Sequence, residues 1–338
     1  MHPVQPAGEG TPRLVVRGAG QELGVLRGFL ASSVRIPLAD GSAGGTVATE
    51  VVSLAAVEVR DGAGAVVLKP ADLRIRRAGD TYTLQTDGGW LRIEPGRGRA
   101  RLGLAPEFWA QRLAAQREFF LLGLLILLHD QRWFGRHACS VSRRGRGVLL
   151  VGPSGSGKTT LTVACLASGW ECQSDDAVLL GERHGEVAAF ALRRGFSANG
   201  SLAARFPQLG LDCTGSPWLA GSKHLLDFDG MFGGQMERRC APRVLCLPRI
   251  GTGRRSALRR VAPAQALLGV LRQSPGLLAG LPATEQQLAT LGRLVDQTAA
   301  YQLEPGADAA AEPGVAVELL RGAWEEHAGE EPDGNCGH

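Results

Sequence analysis

Residues 152–160 read GPSGSGKTT and follow the apolar run Val148-Leu149-Leu150-Val151. Gly152, Gly157, Lys158 and Thr159 fit the spacing G-x-x-x-x-G-K-[ST]. The run before them predicts a buried strand, and Thr159 to Ser168 predicts a helix. Strand, glycine loop and helix in that order are the context this spacing requires. Backbone N–H groups of Gly152, Ser154, Gly155, Ser156, Gly157, Lys158, Thr159 and Thr160 can converge on a phosphate, and the start of the helix adds a positive dipole end. Lys158 can reach the outer phosphates, and the Thr159 hydroxyl can ligate a cation. The pattern points to ATP and Mg²⁺.

A glycine-rich turn could match by chance, because the chain holds 47 glycines. The lysine is harder to explain that way. Only Lys69, Lys158 and Lys223 occur; every other residue of the lysine–arginine class is arginine. An ammonium and a guanidinium are not interchangeable at a phosphate loop.

At 338 residues, 44% hydrophobic and 21% charged, the chain is long enough for two domains with a large core. A net charge of +4 permits anionic substrates without calling for nucleic acid. Seven cysteines without C-x-x-C spacing argue against a disulfide framework and a zinc site, and Cys139 and Cys165 read as buried thiols. Reduced thiols and the absence of a basic-then-apolar start lead to a cytoplasmic expectation. The densest apolar run, Phe119 to Leu128, is shorter than the ~20 residues a membrane span needs and reads as a buried helix. No membrane or nucleic-acid partner is expected; a homo-oligomer is compatible.

Along the chain, residues 1–103 read as a β-rich N-terminal domain. Thr46 to Arg60 shows partial alternation, and Asp61-Gly62 and Asp87-Gly88 sit where hairpin turns belong. Gly96 to Gly103 is rich in arginine and glycine and reads as a linker. Residues 104–136 form a helical connector, with one long or two short helices over Pro106 to Leu128. Residues 137–327 alternate strands and helices, with Gly169 as a helix cap. Strands are expected at Val187–Leu192, Val244–Leu247 and Ala300–Leu303, and helices at Pro263–Leu271, Ala283–Gln297 and Val315–Glu326. Residues 328–338 read as a disordered tail.

The second informative motif is Ser174-Asp175-Asp176, one helix after the loop. Adjacent acids on an extended segment point to opposite sides, so one can face a metal and the other an acceptor. A polar turn is the alternative, and the loop upstream favours the site. Glu171-Cys172-Gln173 are unusually polar for a buried strand.

His137-Ala138, the glycine loop, Gly169-Trp170 and Ser174-Asp175-Asp176-Ala177-Val178 together resemble HPr kinase/phosphorylase and its relatives, from His137 to about Leu271. The resemblance implies an HPr-kinase-like core, shared with the ATP-using phosphoenolpyruvate carboxykinases, behind the smaller β-rich domain. It implies Asp175 as the base toward a serine, Asp176 near the metal with Thr159, and a role for His137. Lys158-Thr159-Thr160 stands where HPr kinases usually have GKSE, and Phe190 to Gly200 lacks their long signature. The chain therefore looks like the divergent HPr-kinase-related group, with no phosphorylase activity implied. Some of that group phosphorylate serine in ribosomally made peptides, including the C-terminal residue of lasso-peptide precursors. The expected function is an ATP- and Mg²⁺-dependent kinase acting on a hydroxyl, most simply a serine of a peptide or protein. Lys223, Arg194 and Arg249 are candidates for holding the acceptor. A nucleotide-regulated binding module and a plain ATPase are the alternatives.

Overall fold

The computed structural model describes residues 13–17, 24, 26–30, 46–51, 65–68, 73–129, 132–192, 196–207, 223–226, 232–274 and 285–328. The fold is mixed α/β. Its first sheet holds β1 (Arg13–Arg17), β2 (Thr46–Val51), β3 (Ala65–Leu68), β4 (Arg74–Ala78), β5 (Thr81–Thr86), β6 (Gly89–Glu94) and β7 (Arg99–Leu104), in the order β1-β2-β7-β6-β5-β4-β3. Thr86 pairs with Gly89, so Asp87-Gly88 is a two-residue hairpin loop, and Gly88 has a φ of 64°. Asp61-Gly62 lies outside the described residues.

The linker expected at Gly96–Gly103 is corrected: a short 3-10 turn, Pro95–Arg97, leads into β7 in the middle of the sheet. Arg99 and Arg101 are exposed while Ala100 and Leu102 are buried. The two-residue alternation outweighs the glycine and arginine content, because long basic side chains suit a solvent face.

Two helices follow, α1 (Pro106–Ala110) and α2 (Leu113–His129). Phe119, Phe120, Leu122 and Leu124 to Leu128 of α2 are all buried. One side packs on Ile75, Leu84, Leu91 and Ile93 of the first sheet, and the same cluster continues into Trp133, Leu179 and Phe190. A helix apolar nearly all round is stable in water only between two such layers. Among the described residues no helix is long and apolar enough to cross a membrane.

The second sheet begins with β8 (Phe134–Arg136), β9 (Ala138–Arg143), β10 (Arg146–Val151), then α3 (Lys158–Ala167), β11 (Glu171–Ser174), β12 (Val178–Arg183) and β13 (Glu186–Ala191). β14 (Phe196–Asn199) and β15 (Lys223–Leu226) make a separate antiparallel pair, with α4 (Gly200–Arg205) between them. β16 (Arg239–Pro248), β17 (Ala257–Arg260), α5 (Pro263–Arg272), α6 (Glu285–Asp296), β18 (Ala299–Glu304), α7 (Ala307–Ala311) and α8 (Gly314–His327) complete the chain. The order is β11-β9-β10-β16-β13-β12-β8, and β18 also joins β16 and carries β17. The sheet therefore divides at β16.

The division creates layers. Val148 and Leu150 face Val163, Leu166, Val317 and Leu320 of α3 and α8. On the other side Leu149 and Leu245 meet Val178, Leu180 and Val187, with Val270, Leu291 and Leu294 of α5 and α6 closing the space. Gly169 ends α3 at a φ of 79°, with Gly169 N bonding Leu166 O and Trp170 N bonding Cys165 O, both at 3.0 Å. That pair of bonds is a Schellman cap, and it turns the chain from α3 into β11. Cys139 and Cys165 are buried, and burial pushes the Cys165 thiol up to about 12.

Candidate functional site

β10, β16 and β18 run parallel, while β9 is antiparallel to both β10 and β11. The carboxyl ends of β11, β10, β16 and β18 therefore lie at one edge of the sheet, together with the start of β9. Sites of open α/β sheets gather at such edges. This edge carries, in spatial order, Asp175-Asp176, His137, the glycine loop, the segment after Pro248, and Pro305-Gly306.

The loop leaves β10 at Gly152, where a side chain would meet Ser156 Oγ at 2.8 Å and Pro248 O at 3.4 Å. Gly155 and Gly157 have φ of 82° and 94°, and among the described residues, chain neighbours aside, no atom lies within 4 Å of where a Cβ would stand on either. The loop is thus curled at glycine-only angles around open space. Gly157 caps α3, whose first residue is Lys158. Ser154 is exposed, and Thr159 and Thr160 are half-buried on the first turn. Ser156 Oγ is buried, without a hydrogen-bond partner among the described residues.

Lys158 is 6% exposed. Its Nζ donates to Gly152 O at 2.7 Å, to Pro153 O at 3.0 Å and to His137 Nε2 at 3.3 Å. The third bond makes Nε2 an acceptor, so the ring proton sits on Nδ1. Nδ1 faces Asp176 Oδ1 at 3.0 Å. Asp176, His137 and Lys158 thus form one line across the ends of β11, β9 and β10. His137 occupies the middle because Ala138, the next residue, pairs with Val151 at the end of β10.

The two acids lie in a bend just after β11 rather than on an extended segment, and their surroundings differ. Asp176 is partly open, with 27% side-chain exposure, whereas Asp175 is only 3% exposed. The charges of Asp175 and Lys158 both reach the Cys139 thiol, whose pKa burial raises strongly. Cys139 Sγ also donates to Asp175 O.

On the far side of the loop lies a cleft of about 460 Å³. Gly155, Gly157 and Thr160 form one wall, and Ile250, Gly251 and Gly306 another. Among the described residues lining it Arg205 is the one that is charged, and Ile250 is 71% exposed. Ser256 holds the second wall: its N–H and hydroxyl donate to Asp308 at 2.9 and 2.6 Å, and its oxygen accepts from Gly306 N at 2.9 Å. These bonds from Ser256 lower the Asp308 pKa.

Of the candidate acceptor ligands, Arg249 is exposed at the end of β16, on the cleft side of the loop, and its N–H bonds Leu303 O. Lys223 begins β15 opposite Asn199; only its backbone is described. Arg194 lies outside the described residues. Sequence reasoning missed Arg205, which carries no local signal. It also missed Arg136, a buried guanidinium beside His137 that donates to Ser274 Oγ at 3.1 Å and whose pKa burial lowers to about 9.

The arrangement fits a polyphosphate: an orphan buried hydroxyl at Ser156, an open loop and a lysine converge on one spot. Among the described residues no three His, Cys, Asp or Glu side chains gather as metal ligands. Thr159, half-buried, and Asp176, partly open, are the candidate oxygen ligands from the sequence; Mg²⁺ commonly completes its shell from phosphate and water.

No protein-family model matches the chain, and no curated protein matches it. Among solved structures, the HPr(Ser) kinase/phosphatase from Coxiella burnetii is similar at a TM-score of 0.29 and 11% identity, covering 56% of this chain and 98% of that one. So weak a likeness fixes neither fold nor activity.

Proposed function

We propose that the protein is an ATP- and Mg²⁺-dependent kinase that phosphorylates a hydroxyl, a serine in a peptide or protein. The observation that carries this reading is the order of parts along the sheet edge. An open cleft, a phosphate-type loop, and the Lys158–His137–Asp176 line follow one another with Asp175 behind. A nucleoside in the cleft would lay its phosphates along the loop and bring the terminal one toward the acids.

Each residue then has a task. The loop amides and the Ser156 hydroxyl bind phosphate oxygens, and Lys158 turns from Gly152 O and Pro153 O toward the outer phosphates. Thr159 and Asp176 hold Mg²⁺, which supplies charge neutralisation at the phosphates when bound. His137 holds Asp176 from the side. In the transfer, the serine oxygen forms the new O–P bond as the bond from the terminal phosphorus to the bridging oxygen of ADP breaks. The hydroxyl proton passes to Asp175. Because Asp175 is 3% exposed, the hydroxyl has to be inserted with water excluded, which favours acceptor over water as nucleophile.

A peptide acceptor is supported by the resemblance of His137, the loop and Ser174-Asp175-Asp176 to kinases acting on serine in polypeptides. On this reading the protein would act in the maturation of ribosomally made peptides. The test is to incubate the protein with Mg·ATP and candidate precursor peptides, including one ending in serine, and to read mass. A gain of ~80 Da that disappears when the serine becomes alanine is expected. Phosphorylation of a small metabolite with no peptide product would contradict the acceptor assignment, and ATP hydrolysis without any phosphoproduct would make the protein an ATPase.

A further inference from the structure

Glu171-Cys172-Gln173 form most of β11, buried from Cys172 onward, and the polar side chains among them find a defined set of partners. Ser140, Ser142 and Gln173 all have 0% exposure, and Cys240 has 3%. Ser140 Oγ donates to Gln173 Oε1 at 2.9 Å, and Gln173 Nε2 donates to Ser142 Oγ at 2.9 Å. Ser142 Oγ donates to Glu171 Oε2 at 2.8 Å. Ser140 has spent its proton on Gln173, so at the 3.2 Å contact with Cys240 Sγ the thiol is the donor. Burial keeps that thiol protonated, pushing its pKa up to about 12. The bonds run in one direction, from the Cys240 thiol on β16 through Ser140, Gln173 and Ser142 to the Glu171 carboxylate. Gly147 leaves room for the first member, since a side chain there would collide with Cys240 Sγ.

Gln173 also breaks the register of β11. Glu171 pairs with Ser142 and Cys172 with Val141, but the next partner of β9, Ser140, belongs to Ser174. Gln173 is the extra residue of a β-bulge. A bulge re-aims the side chains beyond it, and a one-residue slip in a strand sends every following side chain to the opposite face. The next residues are Ser174, Asp175 and Asp176.

We propose that Gln173 is a positioning residue: its amide, clamped between Ser140 and Ser142, holds the bulge that aims Asp176 at His137 and turns Asp175 inward. An apolar residue would fill the space equally well but would leave two buried hydroxyls to choose other partners, and the bulge would be free to migrate along the edge strand. The inference rests on the phosphotransfer reading for its kinetic consequence, but not for its geometric one.

The test uses the full-length protein and Gln173→Met, with Ser140→Ala as a milder second variant should the first not fold. Val270→Ala, in α5, serves as a control that loosens the core away from the bulge. Three quantities are read: the nitrogen-15 signal of the His137 ring without nucleotide, identified by its loss in His137→Gln; the Kd for Mg·ATP; and kcat for peptide phosphorylation. Gln173→Met should shift the His137 Nδ1–H signal, lower kcat by about a hundredfold, the scale of a ~1 Å misplacement, and weaken Mg·ATP binding as a mis-aimed Mg²⁺ ligand requires. Val270→Ala should lower the Tm and leave the ring signal in place. An unchanged ring signal and kcat in Gln173→Met, or equal changes in Val270→Ala, would overturn the proposal. If the wild-type protein transfers no phosphate at all, the kinase reading fails, and the ring signal alone still decides whether Gln173 positions Asp176.

Discussion

Asp175 and Asp176 are neighbours in sequence with different surroundings. Asp176 stands partly open against the His137 ring, and Asp175 lies inward, its charge reaching the buried Cys139 thiol. Identical chemistry in two environments separates roles. Asp176→Asn should raise the Mg²⁺ concentration needed for half-maximal activity, because one ligand charge is lost, and should release His137. Asp175→Asn should leave the Mg·ATP affinity within about threefold and cut kcat by about a hundredfold or more, as for a group acting only at the acceptor. Steady-state kinetics at varied Mg²⁺, beside calorimetry, separates them. Full turnover in Asp175→Asn would remove it from the proton-transfer role. Lys158 was legible in the sequence through its rarity and spacing. Its bonds to Gly152 O and Pro153 O were not, since they depend on how the loop curls back over its own carbonyls.

At the scale of the element, the unit from β10 to β11 is the most locally determined part of the chain. The strand, loop and helix stand within a residue or two of their expected bounds because each carries its own signal: an apolar run, φ-permissive glycines and a capping glycine. Gly169→Ala should destabilise the protein by about 1 kcal/mol, since alanine is strained at a φ of 79°, and should lower the Tm by a few degrees in a thermal melt. Unchanged stability would show that the Schellman turn is not what directs β11. Two elements were hidden. β7 was masked by its glycine and arginine content, although Arg99, Ala100, Arg101 and Leu102 alternate as a strand should. The bulge at Gln173 could not be read at all, because its cause lies on β9, more than thirty residues back in sequence at Ser140. Polar residues inside an expected buried strand were the signal, and they identified a network rather than a weak strand.

Across the whole molecule, the candidate site belongs to no single element. Asp176 follows β11, His137 precedes β9, the loop follows β10, and the cleft is walled by segments after β16 and β18. A mixed α/β fold with a β-rich beginning was legible from patterning, whereas the division of the second sheet at β16 depends on pairings far apart in sequence. α2 and the first sheet pack against β12 and β13 in one cluster. The central claim is that the edge carrying the site holds the phosphates of a nucleotide through Lys158 and the glycine loop. Isothermal titration of Mg·ATP into the wild-type protein and into Lys158→Ala tests it directly. The wild type should bind one equivalent, and the variant should bind at least about tenfold more weakly, a loss of ~1.4 kcal/mol or more for the missing phosphate cation. Equal affinity in the two proteins, or no binding to the wild type, would contradict the account.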